Sequence, residues 1–156
     1  MHYTNALEML KEDHRKVAEL FSQAEAAQSE AQRRKLFEQI KTELEAHAHL
    51  EETAFYPTLK QRDELKDLVL EALEEHKQVK TLLREIENLV EGSEKFDAKL
   101  KVLKDNVEHH VEEEENEMFQ KIRQVFQREE LEQLGQELAD TRKEYAKTSK
   151  ARTGSR

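Results

Sequence analysis

The sequence contains no cysteine, one proline and three glycines among its 156 residues. Without cysteine the chain cannot form disulfides, thiolate zinc sites, iron–sulfur clusters or a cysteine nucleophile. So little proline and glycine disfavours turn-rich sheets, whereas a charged fraction of 39% suits long solvated helices. The composition therefore predicts an all-α protein, and its length predicts one domain with a single sizeable core.

The chain also lacks an excess of positive charge and any long apolar run. Its 26 lysines and arginines face 35 acidic residues, and the resulting net charge of −9 repels nucleic acid and anionic membrane surfaces. Charged residues such as Glu8 and Lys11 precede any apolar stretch, and no later segment is long enough to cross a bilayer. We therefore expect a soluble cytoplasmic protein without a signal peptide, whose partners include neither nucleic acid nor a membrane.

Apolar residues recur at alternating spacings of three and four, which is typical of helices with one face turned to a core. Four segments show this pattern: 7–24, 37–55, 65–90 and 96–125. Pro57 predicts the end of the second helix, and Gly92 predicts the end of the third. Similar lengths and short connections predict an up-down-up-down four-helix bundle over residues 1–128.

A short C-terminal helical extension is expected after the bundle, within residues 129–156. Leu131, Leu134 and Leu138 suit one short helix. The segment 141–156 then carries six basic residues against one acid. We interpret this last segment as a disordered tail.

In each of the four segments a histidine stands where an apolar residue is expected, and in two of them a glutamate follows four residues later. Residues four apart lie nearly one above the other on a helix, so each His-Glu pair points to one spot. Burying carboxylates among imidazoles costs several kcal/mol per charged group unless a positive charge neutralises them. The pattern therefore predicts a metal site. Its predicted ligands are His14, His47, Glu51, His76, His110 and Glu114.

Simpler interpretations apply to individual residues. A single inward histidine is more often a hydrogen-bonded core residue, and a charged run such as 112–115 is more often a solvated face, from which only Glu114 is singled out by its helical phase. Asp13 and Glu75 directly precede predicted ligands and could accept a hydrogen bond from an imidazole, but we interpret both as solvated. The histidines that lie off the apolar faces, and that we place on the surface, are His2, His49 and His109.

An internal repeat relates the two halves of the chain. The segment 13–21 returns at 75–83, and the segment 47–56 returns at 110–119, with offsets of 62 and 63 residues. Such a repeat implies a bundle with approximate two-fold symmetry and two equivalent half-sites. Two metal ions suit that symmetry better than one.

These residues resemble the hemerythrin-like HHE cation-binding family over about residues 7–126. The family has a histidine on helix one, His-x-x-x-Glu-Glu before an aromatic residue and proline on helix two, a histidine on helix three, and His-x-x-x-Glu-Glu on helix four. The counterparts here are 13–14, 47–57, 75–76 and 110–119. Two positions differ: Lys80 stands where oxygen-carrying hemerythrins have a second histidine on helix three, and Gln120 stands where many relatives have proline.

The resemblance implies a centre of two iron ions, although zinc or manganese also suits nitrogen and oxygen ligands. Glu51 and Glu114 would bridge the ions, and each ion would take two histidines. The implied function is binding of dioxygen or another small diatomic such as nitric oxide, or iron or oxygen sensing or storage, rather than enzymatic catalysis. A di-iron oxidoreductase acting on peroxide or nitric oxide and a metal-free helical interaction module stay open. Lys80 would either hydrogen-bond a bound oxygen species or extend into solvent.

Overall fold

The computed structural model describes residues 5–154, with side chains described for 5–149, and it confirms the all-α bundle. Four long helices run up, down, up and down, and a fifth packs against them. None of the helices in the described part of the chain combines the length and apolar character needed to span a bilayer. The elements are α1 (Ala6–Ala26), α2 (Glu30–Leu50), π1 (Glu51–Phe55), α3 (Tyr56–Lys60), α4 (Asp63–Glu87), α5 (Phe96–Glu113), π2 (Glu114–Met118), α6 (Phe119–Val125) and α7 (Arg128–Gly154).

The second and fourth bundle helices each contain one π-helical turn, and these turns begin at Glu51 and Glu114. The second helix continues through its π turn to Lys60, so the prediction that Pro57 ends it is wrong. In the π turn the backbone N–H of Tyr56 bonds to the carbonyl of Glu51, five residues back. The wider turn provides room for the ring of Pro57, which a regular α-helix would not accommodate.

The third bundle helix ends earlier than expected. It stops at Glu87, and Val90, which continues the apolar pattern, is 77% exposed. The N–H of Asn88 bonds to the carbonyl of Arg84 and closes the last turn. Gly92 lies in the following loop with a φ of +83°, a conformation that favours glycine.

The C-terminal helix is longer than expected. Helix α7 spans Arg128–Gly154, so the prediction of a short helix followed by a disordered tail is wrong for residues 141–154, while residues 155–156 lie outside the described part. Arg142 pairs with Asp13 of α1, and the ring of Tyr145 lies against His49 of α2. These contacts give an ordered position to a segment whose basic composition suggests disorder.

The hydrophobic core consists of two clusters, one toward each end of the bundle. One cluster contains Leu7 and Phe55, together with the leucines of α7. The other contains Phe21 and Phe37. The predicted metal ligands lie between the two clusters, so apolar packing shields them from water above and below.

Candidate metal centre

The structure brings all six predicted ligand side chains together in the middle of the bundle. Every one of them is buried, with at most 8% of its surface exposed. Two bundle helices in each half of the chain supply these side chains. The six are His14 on α1, His47 on α2, Glu51 at the start of π1, His76 on α4, His110 on α5 and Glu114 at the start of π2.

The four histidines form two equivalent pairs. The ring centroids of His14 and His47 lie 4.9 Å apart, with 66° between the ring planes. The centroids of His76 and His110 lie 4.9 Å apart as well, with 65° between the planes. These matching values agree with the two-fold symmetry that the repeat predicts.

Glu51 lies between the two histidine pairs. Its Oε2 is 3.3 Å from Nε2 of His47, and its Oε1 is 2.9 Å from Nε2 of His76. The carboxylate therefore offers one oxygen to each pair.

Glu114 has the same arrangement in the other half of the centre. Its Oε1 is 3.1 Å from Nε2 of His14, and its Oε2 is 3.6 Å from Nε2 of His110. Each of the two carboxylates thus has one oxygen near each histidine pair, and these side chains form groups that could hold a metal ion.

Several buried nitrogen and oxygen atoms of the centre form no aligned hydrogen bond among the described residues, although the closest of them, Nε2 of His14 and Oε1 of Glu114, are 3.1 Å apart. A buried nitrogen or oxygen without a partner is costly in a folded protein, so such atoms call for a proton, a water or a cation. Neutral imidazole and carboxylate are ligands for iron, manganese and zinc. The residues therefore fit a metal centre. The atoms are Nε2 of His14, His47 and His110, Oε2 of Glu51 and Oε1 of Glu114.

The second ring nitrogen of every central histidine contacts a carboxylate. An acceptor at Nδ1 holds the proton on that nitrogen and turns the Nε2 lone pair toward the centre, as in many metal sites. The contacts from Nδ1 are His14 to Glu115 at 2.6 Å, His47 to Asp13 at 2.9 Å, His76 to Glu52 at 2.7 Å and His110 to Glu75 at 2.6 Å.

These outer carboxylates revise two interpretations. Asp13 and Glu75, which we interpreted as solvated, each orient a histidine on a neighbouring helix. Glu52 and Glu115 do the same. From the sequence we had placed Glu115 on a solvated face and had given Glu52 no role. The repeat contains the signal, because Asp13 matches Glu75 and Glu52 matches Glu115.

Protons and metal ions would compete for the histidines. Burial lowers the pKa of His47, but the charge of Glu51 and the contact with Asp13 outweigh it and raise that pKa to about 10. For Glu51, burial acts to raise the pKa, whereas the neighbouring histidines, His47 above all, lower it well below its usual value. The centre thus favours a positive charge beside two carboxylates, and a proton or a metal ion can supply it.

Tyr56 also reaches the centre, although its position in the sequence does not indicate this. Its hydroxyl donates to Oε2 of Glu114 at 2.5 Å and to Oε1 of Glu51 at 3.1 Å, and it lies 3.4 Å from Nε2 of His76. Burial and these two carboxylates raise the pKa of Tyr56, so the hydroxyl stays protonated. Phe119, its counterpart in the repeat, has no hydroxyl, and the two halves therefore differ here.

Lys80 lies in the wall of the cavity that the four central histidines also line, and its ammonium group is paired with a carboxylate rather than extending freely into solvent. Its Nζ lies 2.9 Å from each carboxylate oxygen of Glu52, and 44% of its side chain is exposed. Contacts with His76 and Lys80 lower the pKa of Glu52 to about 2. Lys80 therefore anchors the carboxylate that orients His76.

A cavity of about 50 Å³ adjoins the histidines. All four central histidines line it, and apolar side chains from all four bundle helices form most of the remaining wall. Its size suits a molecule of two or three atoms. The apolar residues include Val17, Leu44, Val79, Leu83, Val107 and Val111.

The histidines placed on the surface behave differently from the central four. The side chain of His109 is 66% exposed and pairs with Glu113 at 3.3 Å, as expected of a surface residue. Together with Glu75 these two form a third, outer group of possible ligand atoms. His49 is half-buried against Tyr145, and His2 lies outside the described residues.

A family profile matches most of the chain. Residues 5–122 match the family described as the hemerythrin HHE cation binding domain. The chain belongs to this family. The match covers all six predicted ligands and the four outer carboxylates, and it ends before α7 of this HHE protein begins.

Two relatives add detail. The HHE chain superposes with a TM-score of 0.81 on the crystal structure of a hemerythrin HHE cation binding domain-containing protein from Mycobacterium kansasii, the Rv2633c homolog, at 30% identity, covering 99% of this chain and 96% of that one. It is also 30% identical over 133 residues to a protein of Nostoc sp. named DNA nickase. That alignment covers 85% of this chain and 38% of the relative, so the chain spans about two fifths of that protein's length.

Proposed function

We propose that this HHE protein holds two iron ions through His14, His47, Glu51, His76, His110 and Glu114. The main support is the placement of the carboxylate oxygens: each of the two glutamates has one oxygen near each histidine pair. One ion would lie with His14 and His47, and the other with His76 and His110. Zinc and manganese suit the same donors, and iron is favoured by the family resemblance.

We further propose that the bound molecule is dioxygen, nitric oxide or another small diatomic. Reduced iron would supply electrons and open coordination positions for such a molecule. The cavity beside the histidines would admit a few atoms, and its apolar wall would limit the entry of water. On the carboxylate side, the Tyr56 hydroxyl would hold Glu51 and Glu114 in place by hydrogen bonds.

Neighbouring histidines offer a direct test of the metal centre. His110 is buried in the centre, whereas His109, the adjacent residue, is exposed. After iron loading, the wild type should contain two ions per chain, His110→Ala should lose at least one, and His109→Ala should retain both. An elemental count gives the answer, and an equal count in the two variants would contradict the ligand assignment. A metal-free wild type after loading would favour the interaction-module alternative.

An optical spectrum tests the diatomic ligand. Ala48 lines the cavity, so Ala48→Leu should fill part of it and weaken the spectral change on exposure to dioxygen or nitric oxide, with the iron content unchanged. Ala46→Leu, on the same helix but outside this cavity, is the matched control. Equal spectral changes in both variants would place the ligand elsewhere.

A second candidate is an oxidoreductase that acts on peroxide or nitric oxide. The buried Tyr56 hydroxyl favours it, since a hydrogen-bond donor within reach of both glutamates could stabilise negative charge that develops at the centre during turnover. Steady consumption of peroxide by the iron-loaded protein, reduced in Tyr56→Phe, would support this candidate. Stoichiometric reaction without turnover would favour the binding protein.

We propose that this protein does not nick DNA, although its Nostoc relative is named DNA nickase. The chain corresponds to 38% of the Nostoc relative's length, and we infer that the shared part is the HHE domain. The net charge of −9 also opposes contact with the phosphate backbone. Incubation with supercoiled plasmid and metal should leave it intact, and nicking that His110→Ala abolishes would overturn this inference.

A further inference from the structure

An ion pair links helix α7 to the candidate metal centre. Nη2 of Arg142 lies 2.6 Å from Oδ2 of Asp13. The same Oδ2 lies 2.9 Å from Nδ1 of His47. One carboxylate oxygen therefore accepts from both the guanidinium and the imidazole. Through Asp13, Arg142 is connected to His47, whose Nε2 faces the centre.

Other contacts hold α7 at this position. Leu131, Leu134 and Leu138 are buried in the core cluster that contains Leu7 and Phe55. Further along the helix the ring of Tyr145 lies 4.6 Å from that of His49. Arg142 lies between these two anchors, so its ion pair is supported from either side. The family match ends at residue 122, and Arg142 thus reaches the centre from outside the matched segment.

The equivalent carboxylate in the other half of the centre has different neighbours. Glu75 is the repeat counterpart of Asp13 and contacts Nδ1 of His110 at 2.6 Å. Within residues 5–149, no lysine or arginine forms an ion pair with Glu75, whose other titratable neighbours are His109 at 4.0 Å and the carboxyl group of Glu113. The ion pair with Arg142 therefore distinguishes Asp13 from its repeat counterpart Glu75. In the other histidine pair a basic residue, Lys80, instead holds Glu52, the carboxylate beside His76.

We propose that Arg142 is a positioning residue for the metal centre and that it acts through Asp13 on His47. Asp13 is 13% exposed and lines a groove between α1, α2 and α7 that opens to solvent beside His47 and Arg142. Without the guanidinium, its carboxylate keeps a half-buried charge and turns toward water in that groove. His47 then loses the acceptor that fixes its tautomer and ring orientation. This inference rests on the proposed metal centre.

Titration of the metal-free full chain with Co(II) tests this role, because cobalt absorption reports both binding and ligand geometry. Arg142→Gln should weaken binding of one of the two ions about tenfold, the lower range for loss of an outer partner of a ligand histidine. Arg142→Lys should restore part of the affinity. Arg128→Gln, the same change at an exposed arginine of α7, is the matched control and should resemble the wild type.

A second variant separates this route from a general effect on folding. In an Asp13→Asn background, Arg142→Gln should produce little further loss of cobalt affinity, because the shared partner is already changed. An equal loss in both backgrounds, or a wild-type titration curve and spectrum for Arg142→Gln, would overturn the inference. Failure of the wild type to bind cobalt or iron would instead refute the proposed metal centre.

Discussion

A histidine ring has two nitrogens, and each central histidine of this protein uses them for different partners. Nδ1 contacts an outer carboxylate and Nε2 faces the middle of the bundle. This division orients the lone pairs without any ligand, because the contacts come from helices that the core already holds. Cation binding then requires displacement of protons rather than rearrangement of side chains.

At the residue scale, Tyr56→Phe should destabilise the metal-free protein. The substitution keeps the aromatic ring, and a phenylalanine already occupies the equivalent position of the other half, Phe119. It removes the hydroxyl that donates to Glu51 and Glu114. Loss of a donor to buried acceptors costs about 1–3 kcal/mol of unfolding free energy. Chemical denaturation measures it, with Tyr145→Phe on α7 as the control, and an effect equal to the control's would show that the hydroxyl contributes nothing.

Residue identities in the centre could be predicted only in part. His47 and Glu51 stand out because both lie on an otherwise apolar helix face. Asp13 and Glu52 do not, since they are one position off that face and their surroundings depend on which helix lies beside them. Whether a carboxylate at such a position is solvated or contacts a histidine depends on which helix packs beside it, and the local sequence does not reveal that helix.

At the scale of elements, the two π turns decide which side chains reach the centre. In a regular α-helix a residue five positions after Glu51 would lie about 140° around the axis. The π turn closes with a bond from the N–H of Tyr56 to the carbonyl of Glu51, and this places the tyrosine on the same side. The sequence contains a trace of it: buried residues follow Glu51 and Glu114 at +4, +5 and +8 in both halves.

Deletion of Thr53 should therefore convert π1 into α-helix without turning the following residues away from the core. Thr53 is exposed, and its removal changes the buried spacing after Glu51 to +3, +4 and +7, the regular helical pattern. We expect a folded protein of near-unchanged helicity that binds iron at least tenfold more weakly, because Glu51 and Tyr56 are displaced relative to each other.

Circular dichroism and an iron titration check both parts of this prediction. Deletion of Glu91, in the loop after α4, is the control for removing one residue. Unchanged iron affinity after deletion of Thr53 would mean that the π turn is not required for the centre.

Helix α7 shows how composition alone misleads at this scale. Its second half has many charged residues and a weak apolar pattern, which is why we expected disorder. Arg142 and Tyr145 nevertheless contact α1 and α2. Such contacts depend on where the first half of the helix lies, and that position follows from burial of Leu131, Leu134 and Leu138.

At the scale of the whole molecule, two apolar clusters enclose a polar centre, so metal binding and folding should be coupled. Metal at one hundred times its dissociation constant adds about 3 kcal/mol to the unfolding free energy. For a chain of this length we expect chelation to lower the melting temperature by about 5–10 °C. Calorimetry with and without chelator measures the change, and an unchanged midpoint would refute the coupling.

As the pH rises, the stability of the metal-free protein and the extra stability that metal adds should change in opposite directions. Because the folded pKa of His47 is raised to about 10 from 6.5, protonation stabilises the metal-free protein below pH 6.5, and this contribution is lost as the pH rises toward 10. Metal ions compete with these protons, so the metal-induced rise in melting temperature should grow between pH 6.5 and pH 9. Melting curves at several pH values test this, and a metal effect that shrinks as pH rises would contradict it.

The amino-acid sequence by itself determined the all-α class, the four bundle helices and the six central side chains, because helical phase is a local property that spacing along the chain reveals. The repeat likewise determined the two-fold relation between half-sites. Only the tertiary structure decided which carboxylate meets which imidazole nitrogen, how Tyr56 reaches the centre and where α7 lies. Those pairings depend on the relative register of helices distant in sequence, and that register is set by packing of the whole core.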